Sequence, residues 1–222
     1  MDSFIAEGWV LLPELLTPAE LECLGLALER CEGAAHQQGP KRQARRDDAG
    51  SHPLMNLHEW EPAFAALLGR APLPRILSLL FGHDPFLASM NARVVEPGEA
   101  SQGLHRDTPG SRSTYEHPQL IQVVWMLDGF QKRNGGTRVI SGSHRWAWAR
   151  RPVACDVRHL KTIRANAGSA LVFDGRIWHG SGLNHTTARR RAVFAQYRSL
   201  DWGEYHVKPR PPRTAIRARL RE

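Results

Sequence analysis

Cysteine is scarce in this chain: there are three in 222 residues, Cys23, Cys31 and Cys155. An odd, scattered set does not suit a disulfide framework, and none lies in a Cys-x-x-Cys pair, so the usual zinc-site spacing is missing too. A reducing, cytoplasmic setting is the expectation. Long apolar runs are also lacking. No stretch approaches the roughly 20 residues of a membrane span. The start, Met1-Asp2-Ser3, is acidic, with no apolar segment ahead of a small-residue cleavage site, so neither a secretory leader nor a membrane partner is expected. Internal repeats are absent, and bias is confined to Pro209-Arg-Pro-Pro-Arg213, where the prolines exclude a regular helix or central strand. Acidic residues are outnumbered 22 to 30, which gives a net charge of +8 and a pI of about 10.1. That balance permits attraction to nucleic acid, acidic lipid or an anionic substrate without choosing among them. Much of the excess sits in Lys41-Arg42, Arg45-Arg46, Arg189 to Arg191 and the tail from Lys208 to Arg221, the pattern of a solvated surface with a basic tail.

What is present is an ordinary apolar fraction, 41%, in a chain long enough for one domain with a substantial core. Gly8-Trp-Val-Leu-Leu reads as a short strand. Thr17-Pro-Ala-Glu20 is a capping box with proline at the first helical position, and Leu21, Leu24 and Leu28 then recur on one face, which predicts a helix to about Cys31. The stretch 37–56 is polar, with glycine, proline and clustered charge, and reads as a loop, either plain surface or an active-site lid. Glu59 to Leu68 and Leu73 to Phe81 read as helices stopped by Gly69 and Gly82. From Pro85 the pattern changes. Short strands are predicted over Phe86–Val95, Leu120–Leu127, Thr137–Ile140, Thr162–Ala165, Ala170–Phe173, Ala192–Arg198 and Tyr205–Val207, separated by Gly, Pro, Asn and Asp clusters. The expected fold class is mainly β with flanking helices, a jelly roll or barrel. The expected organisation is one domain: an N-terminal strand and helices over 1–84, a jelly-roll core over 85–207 and a basic tail over 208–222.

The chemistry concentrates in Leu104-His-Arg-Asp107. On an extended strand, residues i and i+2 face the same side, so His105 and Asp107 can reach one divalent metal. His179, in Leu171-Val-Phe-Asp-Gly-Arg-Ile-Trp-His179, is the best third ligand. Two histidines and one carboxylate on one face of an octahedral metal is the arrangement of non-haem Fe(II) oxygenases, and it leaves positions open for a chelating co-substrate and oxygen. His-x-Asp is weak by itself. Arg190 strengthens it: eleven residues after His179 and at the start of an apolar strand, it can grip a dicarboxylate by paired hydrogen bonds.

At this point the chain resembles the phytanoyl-CoA dioxygenase-like family of Fe(II)- and 2-oxoglutarate-dependent oxygenases. Four blocks carry the resemblance, in the family's order and at similar spacing. They are His105-Arg-Asp107-Thr-Pro; Trp125-Met-Leu-Asp128 running into Asn134-Gly-Gly136; Val139-Ile-Ser-Gly-Ser-His144; and Phe173-Asp-Gly-Arg-Ile-Trp-His179-Gly-Ser-Gly-Leu-Asn184 ending at Arg190-Arg-Ala. The resemblance implies a double-stranded β-helix of the cupin-like kind, with His105, Asp107 and His179 holding Fe(II). It implies that Arg190 holds the distal carboxylate of 2-oxoglutarate, with Arg189 and Arg191 as neighbours one position away. It also suggests Ser181 on a co-substrate carboxylate and Trp125 as an aromatic wall. Trp125 and Gln122 have odd spacing, so at most one of them lines the pocket. Asn134-Gly-Gly136 reads as a turn requiring positive φ, and His144 as structural or near substrate rather than a ligand. Thr108 is a candidate substrate contact.

The implied partners are O2 and a small-molecule substrate. Nucleic acid is disfavoured: the Arg-Trp interleaving of Trp146-Ala-Trp148 and Arg150-Arg151 suits single strands, but only the metal motif resembles nucleic-acid demethylases. Oligomeric state carries no sequence signal. Related halogenases replace the metal-binding carboxylate with a small residue. Asp107 is retained, so the expectation is a hydroxylase, or an enzyme otherwise oxidising a small molecule; a small jelly roll with a basic surface fits a tailoring enzyme of secondary metabolism. The alternatives are a non-catalytic jelly-roll or cupin binding protein and, lower, a zinc hydrolase.

Overall fold

In a computed structural model, residues 2–38, 54–108 and 117–200 are described. The chain opens with helix α1 (Asp2–Glu7), strand β1 (Trp9–Leu12) and the long helix α2 (Pro18–Gln38). The capping box forms as expected: the Thr17 amide donates to the Glu20 carboxylate at 2.9 Å, and the Glu20 amide donates to the Thr17 hydroxyl at 3.3 Å. Leu24, Ala27, Leu28, Cys31 and Ala35 form its buried stripe. That stripe carries the helix past Cys31, because Gly33-Ala-Ala35 holds no proline to break it and Ala35 is buried. The predicted helix over Glu59–Leu68 is instead divided. Pro62 starts α3 (Pro62–Ala66), with a 3-10 turn on either side, and α4 (Leu73–Phe81) follows with Gly82 as its left-handed stop. No single described helix is long and apolar enough to cross a membrane.

Strands β2 (Phe86–Val95), β3 (Leu120–Met126) and β4 (Thr137–Val139) fall where the pattern placed them. After a short helix α5 (Ala154–Arg158) come β5 (Lys161–Thr162), β6 (Ala170–Asp174), β7 (His179–Ser181) and β8 (Arg190–Arg198). β5 is displaced from the expected span: Ala165 leaves the ladder and forms a lone bridge to Phe130. The expected strand Tyr205–Val207, the basic tail and residues 39–53 of the polar loop lie outside the described residues. Gly135 takes the positive φ, 75°, expected of the Asn-Gly-Gly turn.

The strands form two antiparallel sheets of a jelly roll, one of five strands in the order β1-β6-β3-β8-β2 and one of three in the order β5-β4-β7. Alternation along the larger sheet decides which side chains face the helices and which face the other sheet. In β3, Ile121, Val123 and Trp125 pack with Val193, Ala195 and Tyr197 of β8 against the helices, in the larger apolar cluster. Val124 and Met126, with Leu171, Phe173 and Ala192, face the other way, between the sheets. The inner face of the large sheet and the facing strand β7 therefore enclose the cavity.

Candidate metal and co-substrate site

The described residues include one cluster whose donors suit a metal: His105, Asp107 and His179, with ligand atoms all within 4.8 Å of one another. The backbone builds it by a single bridge. The His105 amide donates to the His179 carbonyl at 2.9 Å, and the His179 amide returns the bond at 3.0 Å. The sequence placed His105 and Asp107 on one regular strand. Here only that bridge forms, and the chain bends at Asp107, whose amide donates to the Gly175 carbonyl at 2.9 Å. The two side chains still converge. Nε2 of His105 lies 3.5 Å from the Asp107 carboxylate and Nε2 of His179 lies 3.7 Å from it.

Each ring is oriented from behind in the same way. Nδ1 of His105 meets the Gly103 carbonyl at 3.0 Å, and Nδ1 of His179 meets the Ile177 carbonyl at 3.1 Å. A carbonyl accepts only N–H, so both rings carry a proton on Nδ1 and turn Nε2, the nitrogen left for a metal, inward. Burial is the largest influence on His179 and pushes it below the ordinary imidazole range. Burial also works on His105, but the hydrogen bond and charge of Asp107 and the Gly103 carbonyl together hold it above that range. Burial alone would raise Asp107; the charge of His179 and the hydrogen bond of His105 hold its carboxyl below its ordinary value. Gly180, between His179 and Ser181, allows the close approach. A Cβ there would lie 2.7 Å from the Gln102 carbonyl and 2.9 Å from that of Gly103.

The three donors open into a cavity of about 240 Å³ that also reaches Arg93, Gln102, Gln122, Thr137, Phe173, Ser181, Arg190 and Gln196. Arg190 is 1% exposed, and its Nε and Nη1 have no hydrogen-bond partner. Its guanidinium lies 4.3 Å from the Phe130 ring. Burial, then repulsion by Arg93, pushes it down to about 9, so it remains charged at neutral pH. The neighbouring arginines face outward: Arg189 pairs with Glu32 and Glu96, and Arg191 forms a two-pronged pair with Asp128 at 2.8 and 2.9 Å. Arg190 is thus the one of the three that lines the cavity.

Ser181 also lines the cavity; its hydroxyl accepts from the Gln102 amide at 2.9 Å and keeps its own proton to donate. Trp125 does not line it. The tryptophan is fully buried in the helix-facing cluster, and Gln122, on the opposite face of β3, takes the place. The preference for Trp125 chose the wrong parity of the strand. His144 is structural, with Nε2 3.2 Å from the Ile5 carbonyl and outside the donor cluster. Thr108 is half-buried beside Gly175, with no hydrogen-bond partner for its hydroxyl.

Several cavity residues were missed by sequence reasoning. Ser89, Asn91 and Arg93 are polar at spacing two within an otherwise apolar strand, which was a legible sign of a polar inner face. Gln102, Thr137 and Gln196 carried no comparable sign.

Donors of that kind on a jelly roll are the arrangement used by non-haem iron oxygenases. Comparison with known proteins narrows the class. The model of Phytanoyl-CoA dioxygenase (PhyH) matches residues 4–192, and the chain belongs to that family. Dioxygenase af480 of Aspergillus fumigatus is 29% identical over 91% of this chain and 65% of its own length. Dioxygenase olcK of Penicillium canescens is 32% identical over 67% of this chain and 45% of its own. The chain thus spans less than two thirds of these relatives. Two solved structures share the fold at 18% identity. One is the non-heme alpha ketoglutarate dependent carbocyclase SnoK from nogalamycin biosynthesis, with a TM-score of 0.75 over 95% of this chain and 90% of that one. The other is EctD from S. alaskensis with 2-oxoglutarate and 5-hydroxyectoine, with a TM-score of 0.76 over 90% of this chain and 75% of that one.

Fe(II) and 2-oxoglutarate are the cofactor and co-substrate of this family, and the residues fit both. Two inward-facing imidazole nitrogens and a carboxylate suit a divalent ion, and a buried guanidinium with two unpartnered nitrogens needs an anion.

Proposed function

We propose that the chain is an Fe(II)- and 2-oxoglutarate-dependent oxygenase that hydroxylates, or otherwise oxidises, a small molecule of secondary metabolism. The observation that carries it is Arg190: a buried, unpaired charge sharing a cavity with the metal donors. Such a charge is a large penalty unless an anion completes it. A structural cupin has no use for it there. The relatives named dioxygenases support the oxidative class.

When bound, Fe(II) with 2-oxoglutarate supplies activation of O2, with the co-substrate leaving as succinate and CO2 and one oxygen atom available to the product. His105, Asp107 and His179 would hold the metal, Arg190 would receive the distal carboxylate, and the Ser181 hydroxyl has a proton free to donate toward a carboxylate oxygen. Phe173 and Phe194 give an otherwise polar lining its apolar part. With a metal bound, Asp107 would take the place that a halide would need, which favours oxygen-bearing or desaturated products over halogenated ones. The thiols of Cys23 and Cys155 are free and exposed, which suits a reducing cytoplasm.

The test is anaerobic addition of Fe(II) and 2-oxoglutarate to the full chain. A weak visible charge-transfer band is expected, followed on aeration with candidate metabolites by substrate-dependent succinate release. A protein that binds neither Fe(II) nor 2-oxoglutarate refutes the reading.

A further inference from the structure

Arg106 stands between two of the metal donors and points away from the metal. Its guanidinium lies 5.1 Å from the centre of the Trp148 ring and 5.0 Å from that of Trp178. It also donates to the carbonyls of Trp148, at 3.2 Å, and Ser143, at 3.4 Å. Ser143 is itself tied to the third donor's segment, because its hydroxyl accepts from the Trp178 amide at 2.8 Å. Three segments therefore meet on one cation: the bend 105–107, the loop 143–148 and the residue immediately before His179. Regular strand pairing does not hold Asp107, since the ladder there is one bridge and the chain then bends. Backbone bonds join His105 to His179 and Asp107 to Gly175, and Arg106 adds a side-chain anchor behind the bend.

We propose that Arg106 is a positioning residue for the metal site, clamping the back of the donor bend between Trp148 and Trp178 so that His105, Asp107 and His179 keep a common focus. The planar guanidinium suits this role. It stacks on an indole by its face while its edge donates to carbonyls, which an ammonium cannot do in the same geometry. Arg106 touches neither metal nor substrate. It acts through the backbone of the donors, as outer groups of metal sites do.

The proposal rests on the iron reading of the site, and the experiment separates the two. Fe(II) affinity is measured anaerobically on the full chain for wild type, Arg106→Leu, Arg106→Lys, Trp148→Leu and Trp148→Phe. Absorption of the Co(II)-loaded proteins and thermal melting of the metal-free proteins are recorded alongside. Arg191→Leu serves as a control, since it breaks an ion pair on the opposite face of the sheet. Arg106→Leu and Trp148→Leu are expected to weaken Fe(II) binding about 10- to 100-fold, the range of outer-group changes at metal sites, and to alter the Co(II) spectrum. Trp148→Phe, which keeps a ring, should restore most of the affinity, and Arg106→Lys should fall between. Arg191→Leu should lower the melting temperature without changing Fe(II) affinity. If Arg106→Leu does not fold, the two Trp148 variants decide. Folded variants with wild-type Fe(II) affinity and spectrum overturn the clamp. A wild type that binds no Fe(II) overturns the iron reading itself.

Discussion

Arg190→Met should weaken 2-oxoglutarate binding and, at the same time, stabilise the metal-free protein. Both effects follow from one fact, a buried guanidinium with two nitrogens lacking partners. The fall of its pKa to about 9 corresponds to roughly 5 kcal/mol of disfavoured charge. Glu99 and Asp128 already offset part of the repulsion from Arg93, so the recoverable part is smaller. Replacing such a charge with an apolar group commonly gains about 1–4 kcal/mol, which in a chain of this size is a rise in Tm on the order of 5 °C. Binding moves the other way. Losing one partner of a buried ion pair costs about 3–5 kcal/mol, or roughly two to four decades in the 2-oxoglutarate Kd. Calorimetric titration with 2-oxoglutarate and a melting curve of the same sample measure both. Wild-type affinity in Arg190→Met would sink the assignment. Weak binding with a lower Tm would keep the assignment and refute the claim that the charge is unpaired before the co-substrate arrives.

Arg189→Ala and Arg191→Ala should leave 2-oxoglutarate affinity within a few-fold of wild type, because both side chains lie on the outer face; the same titration checks this. His105→Ala or His179→Ala should lower Fe(II) affinity severely, whereas His144→Ala should retain it; the reverse pattern in anaerobic metal titrations would show the site to be misassigned. Gly180→Ala should weaken Fe(II) binding, since its methyl would displace the 102–103 backbone that orients His105; unchanged metal affinity and Tm would show that the segment can yield. Product mass spectrometry in excess bromide should show no halogen from wild type, and a halogen isotope pattern from the wild type would refute the reading of Asp107.

Much of the site was legible in the sequence, and for identifiable reasons. His105, Asp107 and His179 were separable from the other histidines because donor chemistry restricts a facial set and because Arg190 followed at a usable distance. Strands β2, β3 and β6 announced themselves through apolar residues flanked by turn formers. What was not legible depended on long-range geometry. β7 is only three residues long and holds no apolar pattern, so nothing local distinguishes His179–Ser181 from a loop. The choice between Gln122 and Trp125 depended on which face of β3 met the helices. Both faces are fully buried, so hydrophobicity carries no phase along that strand. The helix α2 ran beyond its expected end because tertiary burial of Ala35 outweighed a glycine within the helix.

The three consecutive arginines at the start of β8 pose a threading problem that the fold has to solve. If the strand slipped by one position, a guanidinium would still enter the cavity, so the co-substrate alone could not detect the error. The outward pairs can. Arg189 with Glu32 and Glu96, and Arg191 with Asp128, are satisfied together only when Arg190 is inside. A slip would also turn Val193, Ala195 and Tyr197 from the helices toward the cavity. The outer ion pairs therefore act as a proofreading device for the ladder: their contribution lies in the fidelity of the strand's phase, which the cavity, faced with interchangeable arginines, has no means to enforce.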